Sequence, residues 1–123
     1  MGVFDFRIIV YNINNNIQEA KIMQILFGNP GSGKTKALLE MSAKNNVPIL
    51  VESEARVQRL LVKAQGYGVR IPAPITINQL NDGIKAVYID DVKRLVEGVL
   101  HVDLKAISIN RDDECEVIDL DAR

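Results

Sequence analysis

Residues Gly28 to Thr35 read G-N-P-G-S-G-K-T and stand between an apolar run, Ile22 to Phe27, and a helix-prone run, Lys36 to Asn45. They fit G-x-x-x-x-G-K-[ST] with the strand before and the helix after that the pattern requires. Gly28, Gly31 and Gly33 allow positive φ and close approach, so the backbone N–H groups of such a loop can turn inward around a phosphate. The helix that follows points its positive end at the same anion. Asn29, Pro30 and Ser32 complete the loop, Lys34 is expected to reach the β- and γ-phosphates, and the Thr35 hydroxyl to ligate Mg²⁺.

A chain of 123 residues is sized for one domain with a single core. With 15 basic and 16 acidic side chains its net charge is −1, so nucleic-acid contact, although possible, has no support from charge. Cys115 is the only cysteine, which excludes an internal disulfide and a cysteine-based metal cluster. His101 is the only histidine; it reads as a loop residue after a helix, and Ser-His-Asp catalysis would have to depend on it. No apolar run approaches the roughly 18 residues of a membrane span, and Asp5 and Arg7 interrupt the first apolar stretch. A cytoplasmic protein without membrane contact is the expectation.

Val3 to Ile13 reads as a strand and Asn14 to Asn16 as a turn, so residues 1–21 are expected to form an edge strand, a partner-binding strand or an extra hairpin. A further reading is that this arm is not native protein. Gln18-Glu19-Ala20 can be encoded by a purine-rich ribosome-binding sequence, and translation from Met23 would begin at the strand before the glycine-rich loop.

From residue 22 to 123 strands and helices alternate, the order of an α/β domain with a parallel sheet. Val47 to Glu52 is a strand candidate, and Ser53 can cap a helix whose Val57, Leu60, Leu61 and Ala64 share one face. Arg56, Arg59 and Lys63 read as its solvated faces, and Gly66-Tyr67-Gly68 as its end. Ile75 to Ile77 follows as a short strand, then a turn at Asn81-Asp82-Gly83, a strand ending at Ile89, and a helix carrying Val92, Leu95, Val96 and Val99. Leu104 to Ile109 reads as the next strand, Arg111 to Glu114 as a charged turn, and Cys115 to Leu120 as the last apolar run. The expected fold is a three-layer α/β core with a mainly parallel sheet of about five strands, plus the N-terminal strand or hairpin.

Lys85 to Asp91, K-A-V-Y-I-D-D, carries the other half of a nucleotide site. Apolar residues place Asp90 at the carboxyl end of a strand, where a carboxylate can hold a Mg²⁺ shell. Asp91 is the candidate for orienting water, or the N-cap of the helix that follows; as a base it is a methylene shorter than glutamate.

With these motifs the chain resembles the AAA+ and helicase-loader ATPases, a minimal P-loop NTPase. G-N-P-G-S-G-K-T is similar to their Walker A loop, and Ile89-Asp90-Asp91 to the I-D-D of their Walker B strand. The resemblance implies ATP and Mg²⁺ as ligands. It also implies a sensor role for Asn110, at the end of A-I-S-I-N, contacting the γ-phosphate or the attacking water. It covers roughly residues 22 to 110, since the chain stops where the helical lid of that family would begin, so a protein partner or self-association is expected to complete the site.

Four functions follow as expectations. The first is a Mg²⁺-dependent ATPase, slow or partner-stimulated, acting in nucleic-acid metabolism, in which Lys34, Asp90, Asp91 and Asn110 carry the chemistry. Arg70, Arg94 or Arg111 would then supply charge across a subunit contact. The second is a nucleotide-binding accessory or assembly factor without hydrolysis. GTP binding is the third, since Asn110-Arg111-Asp112-Asp113 loosely mimics a guanine reader, and a small-molecule kinase is the fourth.

Overall fold

The computed structural model describes residues 9–11, 17–19, 23–110 and 115–121. They form two compact units, Met1–Asn29 with Ser108–Arg123, and Pro30–Ile107. The expected turn at Asn14 to Asn16 and the charged turn from Arg111 to Glu114 lie outside the described residues.

In the first unit, β1 (Ile9–Tyr11) pairs antiparallel with β2 (Ile17–Glu19) as a hairpin. Next comes β3 (Met23–Phe27), which pairs parallel with β7 (Cys115–Asp119), Met23 opposite Cys115 and Phe27 opposite Asp119. The ladder continues one residue further, where the Leu120 N–H donates to the Phe27 carbonyl at 2.8 Å. Beyond Phe27 the Asn29 N–H donates to an Asp121 carboxylate oxygen at 2.6 Å, which fixes the exit of β3 to the end of β7.

The second unit holds the apolar core. Helix α1 (Lys34–Asn45) ends at Asn46, whose left-handed conformation returns its N–H to the Ser42 carbonyl. Ser42 is itself buried, and its hydroxyl donates to the Val47 carbonyl at 2.6 Å, satisfying a polar group that would otherwise be costly inside the core. Strand β4 (Ile49–Val51) is buried at all three positions, as expected of a strand with parallel neighbours on both edges. Helix α2 (Glu54–Tyr67) starts at Ser53, whose hydroxyl accepts from the Arg56 N–H at 3.2 Å, and closes at Gly68 with φ 75°. Its Val57, Leu60 and Ala64 pack with Leu39, Ile49 and Val51, and Leu61, Val69, Ile71 and Tyr88 close around them.

Two short strands, β5 (Ile75–Thr76) and β6 (Tyr88–Ile89), flank β4 in the order β5-β4-β6, both parallel to it. Helix α3 (Val92–Leu100) follows β6 after Asp90 and Asp91 and buries Leu95. The mixed α/β character and the parallel pairing are therefore as the alternating pattern implies. Among the described residues the hydrogen-bonded strands form sheets of two, two and three strands, and no single ladder of five is seen there.

Two readings of the sequence are corrected. Residues 104–110 are not a strand, and Ile107 and Ile109 are 59% and 46% exposed. Their β-branched side chains favour extended backbone, but a strand also needs a ladder partner, and none of the described residues pairs with them. Arg56 is not on a solvated face: it is 8% exposed and lies on the buried face of α2.

Candidate functional site

Pro30 to Thr35 of the loop and the carboxylate of Asp90, predicted to work together, are both found in the second unit. Gly31 and Gly33 take φ of 85° and 99°, the left-handed region that an L side chain rarely adopts, and a Cβ at either would meet nothing within 4 Å. The loop is thus bent at two glycines beneath open space. Gly33 is also the N-cap of α1; it offers no capping side chain, and the first turn of α1 contains no acidic residue. The positive end of a 12-residue helix accordingly has neither a capping side chain nor an acidic residue of its own, and such an end can accept an anion. Lys34, the first residue of α1, is half-buried, and its ammonium donates to the Ser32 hydroxyl at 3.3 Å. Pro30, Gly31 and Gly33 are exposed. Gly28 and Asn29 belong to the first unit, with Asn29 anchored through Asp121.

Thr35, the second residue of the same helix, meets Asp90. The Thr35 hydroxyl lies 3.1 and 3.3 Å from the two carboxylate oxygens, joining residues 55 apart in the chain. Asp90 follows β6 directly and is 6% exposed. A buried carboxylate requires a counter-charge, and Arg56 supplies it: one guanidinium nitrogen, Nη2, donates to Oδ2 at 2.6 Å. The contact is single-pointed, because Arg56 Nε is buried without an acceptor among the described residues. Arg56 sits in the first turn of α2, where a cation opposes the helix dipole. The carboxylate of Asp90 outweighs that cost at this distance.

Asp91 has a different task. With φ 70° and ψ 82° it is the N-cap of α3; its carboxylate accepts from the Arg94 N–H at 3.2 Å and pairs with the Arg94 side chain at 3.5 Å. This is the capping role its position allows. Arg94 and Arg70 are exposed, while Arg111, Asp112 and Asp113 lie outside the described residues. Asn110 is exposed in irregular backbone in the first unit and does not end a strand. His101 ends α3 with φ 58°, its N–H on the Glu97 carbonyl, which is a structural role.

Arg56 is the residue that sequence reading missed. The signal was present: Arg56, Leu60 and Ala64 recur at intervals of four and share one stripe of α2, the stripe that carries the core.

Phosphate and a divalent cation both find fitting groups here. The doubly bent loop and uncapped helix end suit an anion, while Thr35 and Asp90 offer a hydroxyl and a carboxylate, hard oxygen donors suited to Mg²⁺. Among the described residues no three His, Cys, Asp or Glu side chains form a metal cluster, so a cation held here would take its remaining ligands from phosphate and water. No helix among the described residues is long and apolar enough to cross a membrane. Comparison with protein-family models, curated proteins and solved structures gives no match.

Proposed function

We propose that this chain binds ATP with Mg²⁺ through Pro30 to Thr35 and Asp90. The observation that carries the proposal is the Thr35–Asp90 pair: the two residues that a P-loop nucleotide site needs for its metal meet at 3.1 Å although 55 positions separate them. On this reading the backbone of Gly31 to Lys34 cradles the phosphates, Lys34 supplies the cation to their outer oxygens, and Thr35 places its hydroxyl on the metal. Asp90 holds the metal shell. Mg²⁺, when bound, neutralises phosphate charge and orients the chain of phosphates. The reading implies a P-loop NTPase core of about five mainly parallel strands, similar in type to the AAA+ proteins. The parallel pairings of β3 with β7 and of β4 with β5 and β6 support it.

Turnover is proposed to be slow or stimulated by a partner protein or a second copy, in nucleic-acid metabolism. A second reading, a nucleotide-binding accessory that does not hydrolyse, is favoured by Asp91, whose carboxylate already caps α3 and pairs with Arg94.

Calorimetry with ATP and with GTP in Mg²⁺, on the native chain and on Lys34→Ala, tests the proposal. ATP binding that Lys34→Ala abolishes is expected; absence of binding at millimolar ATP overturns it. Phosphate release measured on the native chain with and without a nucleic acid then separates a stimulated ATPase from a passive binder.

A further inference from the structure

The Arg56–Asp90 ion pair places a cation on the carboxylate that the nucleotide reading assigns to the metal shell. Asp90 offers one negative charge, Arg56 and Lys34 offer two positive charges, and Thr35 is neutral, so these four residues sum to +1 before any ligand arrives. Arg56 and Asp90 are both more than nine-tenths buried, and water screens such a pair little. A divalent cation approaching Asp90 therefore meets a carboxylate that is already neutralised. The contact is also single-pointed. An arginine held for structure commonly engages a carboxylate with two parallel bonds, whereas Arg56 uses Nη2 alone and leaves Nε buried without an acceptor among the described residues.

We infer that Arg56 is a positioning residue that acts as an internal counter-cation to Asp90 and competes with the divalent cation for that carboxylate. The inference rests on the proposed use of Asp90 as a metal-shell ligand. Its consequence is an order of events: the metal is held poorly by the empty protein and well only when phosphate brings negative charge to Lys34 and the loop. Arg56 thereby holds Asp90 beside Thr35 without a resident metal.

The test is a titration of the full chain with Mn²⁺ alone, followed by electron paramagnetic resonance, with no nucleotide present. Arg56→Gln keeps a donor for Asp90 but removes the charge, and is expected to tighten Mn²⁺ binding about tenfold, the scale on which neighbours of a metal ligand act. Asp90→Asn combined with Arg56→Gln should lose that gain. Arg56→Lys keeps the charge and should stay within about twofold of the native chain. Equal binding by the native chain and folded Arg56→Gln, or no binding by either, overturns the inference. A tenfold gain in Arg56→Lys overturns it as well, which keeps the test decisive should Arg56→Gln fail to fold. Failure of the nucleotide reading is separable: a chain that binds no ATP yet gains Mn²⁺ affinity in Arg56→Gln loses the nucleotide proposal and keeps the role of Arg56.

Discussion

A Cβ placed on Gly98 would lie 2.8 Å from both Cβ and Cγ of Glu52, so α3 crosses the end of β4 at a distance that only glycine permits. The crossing matters to the site, because α3 begins immediately after Asp90 and its N-cap is Asp91. A larger residue at position 98 has to displace the helix or the strand end, since the Cβ of Glu52 cannot move without its backbone.

Gly98→Ala should therefore destabilise the protein, although alanine is the better helix former by about 1 kcal/mol. Overpacking costs about 1–3 kcal/mol, so a net loss on the order of 1 kcal/mol is expected. Chemical denaturation followed by circular dichroism measures it, and a gain in stability would show that the crossing relaxes freely.

Removing either partner of the buried pair leaves the other charged and unsolvated. Asp90→Ala and Arg56→Ala should each cost about 3–5 kcal/mol. The double substitution should cost clearly less than the sum. A double-mutant cycle on urea unfolding reads this coupling directly, and strict additivity would mean that the two side chains do not interact in solution.

Asp91 distinguishes capping from catalysis. Asp91→Asn retains an acceptor for the Arg94 N–H and tolerates positive φ, so stability should hardly change. Asp91→Ala loses the cap and should cost about 0.5–2 kcal/mol. If Asp91 also orients water, Asn and Ala should both stop ATP turnover; if it only caps, turnover should follow stability. Phosphate release by the two variants below their melting temperatures decides the matter.

Lys93 and Glu97 form an ion pair at 2.9 Å one turn apart on α3, and Glu97 also accepts from the Leu104 N–H at 2.8 Å. The hydrogen bond from Lys93, and then that from Leu104, hold the Glu97 carboxyl below its ordinary 4.5. The same bond to Glu97 raises Lys93 above 10.5. The carboxylate's contribution to folding is thus fully present above pH 4.5 and disappears as pH falls through its lowered native value. That of Lys93 is complete below pH 10.5 and disappears as pH rises through its raised one. Glu97→Gln should be less stable than the native chain between these limits, and the gap should narrow as the solution is acidified below 4.5. Melting curves across pH provide the check; a gap independent of pH would assign the effect to packing.

Gly28 to Thr35 announced a bent loop leading into a helix, because only particular residues tolerate that backbone and the requirement is local. Ser53 and Gly68 likewise marked the ends of α2, and Val57, Leu60 and Ala64 its buried face, since caps and helical spacing depend on near neighbours in the chain. Leu104 to Ile109 illustrates where such reasoning stops. Extended backbone suits its residues, but a strand is a property of two segments and no ladder partner forms among the described residues. For Asp91 the sequence left both a cap and a water-orienting base open, and the direction of its carboxylate toward Arg94 depends on how α3 leaves β6.

By itself, then, the sequence determined the alternation of strands and helices, the glycine-rich loop and the carboxylate at the end of β6, all fixed by backbone preference and apolar spacing over a few residues. Tertiary structure alone decided that Thr35 would reach Asp90, that Gly98 would touch Glu52, and that Arg56 would be drawn inside to neutralise Asp90. Those choices depend on burial, which makes an unpaired charge intolerable and brings together groups that local sequence cannot relate.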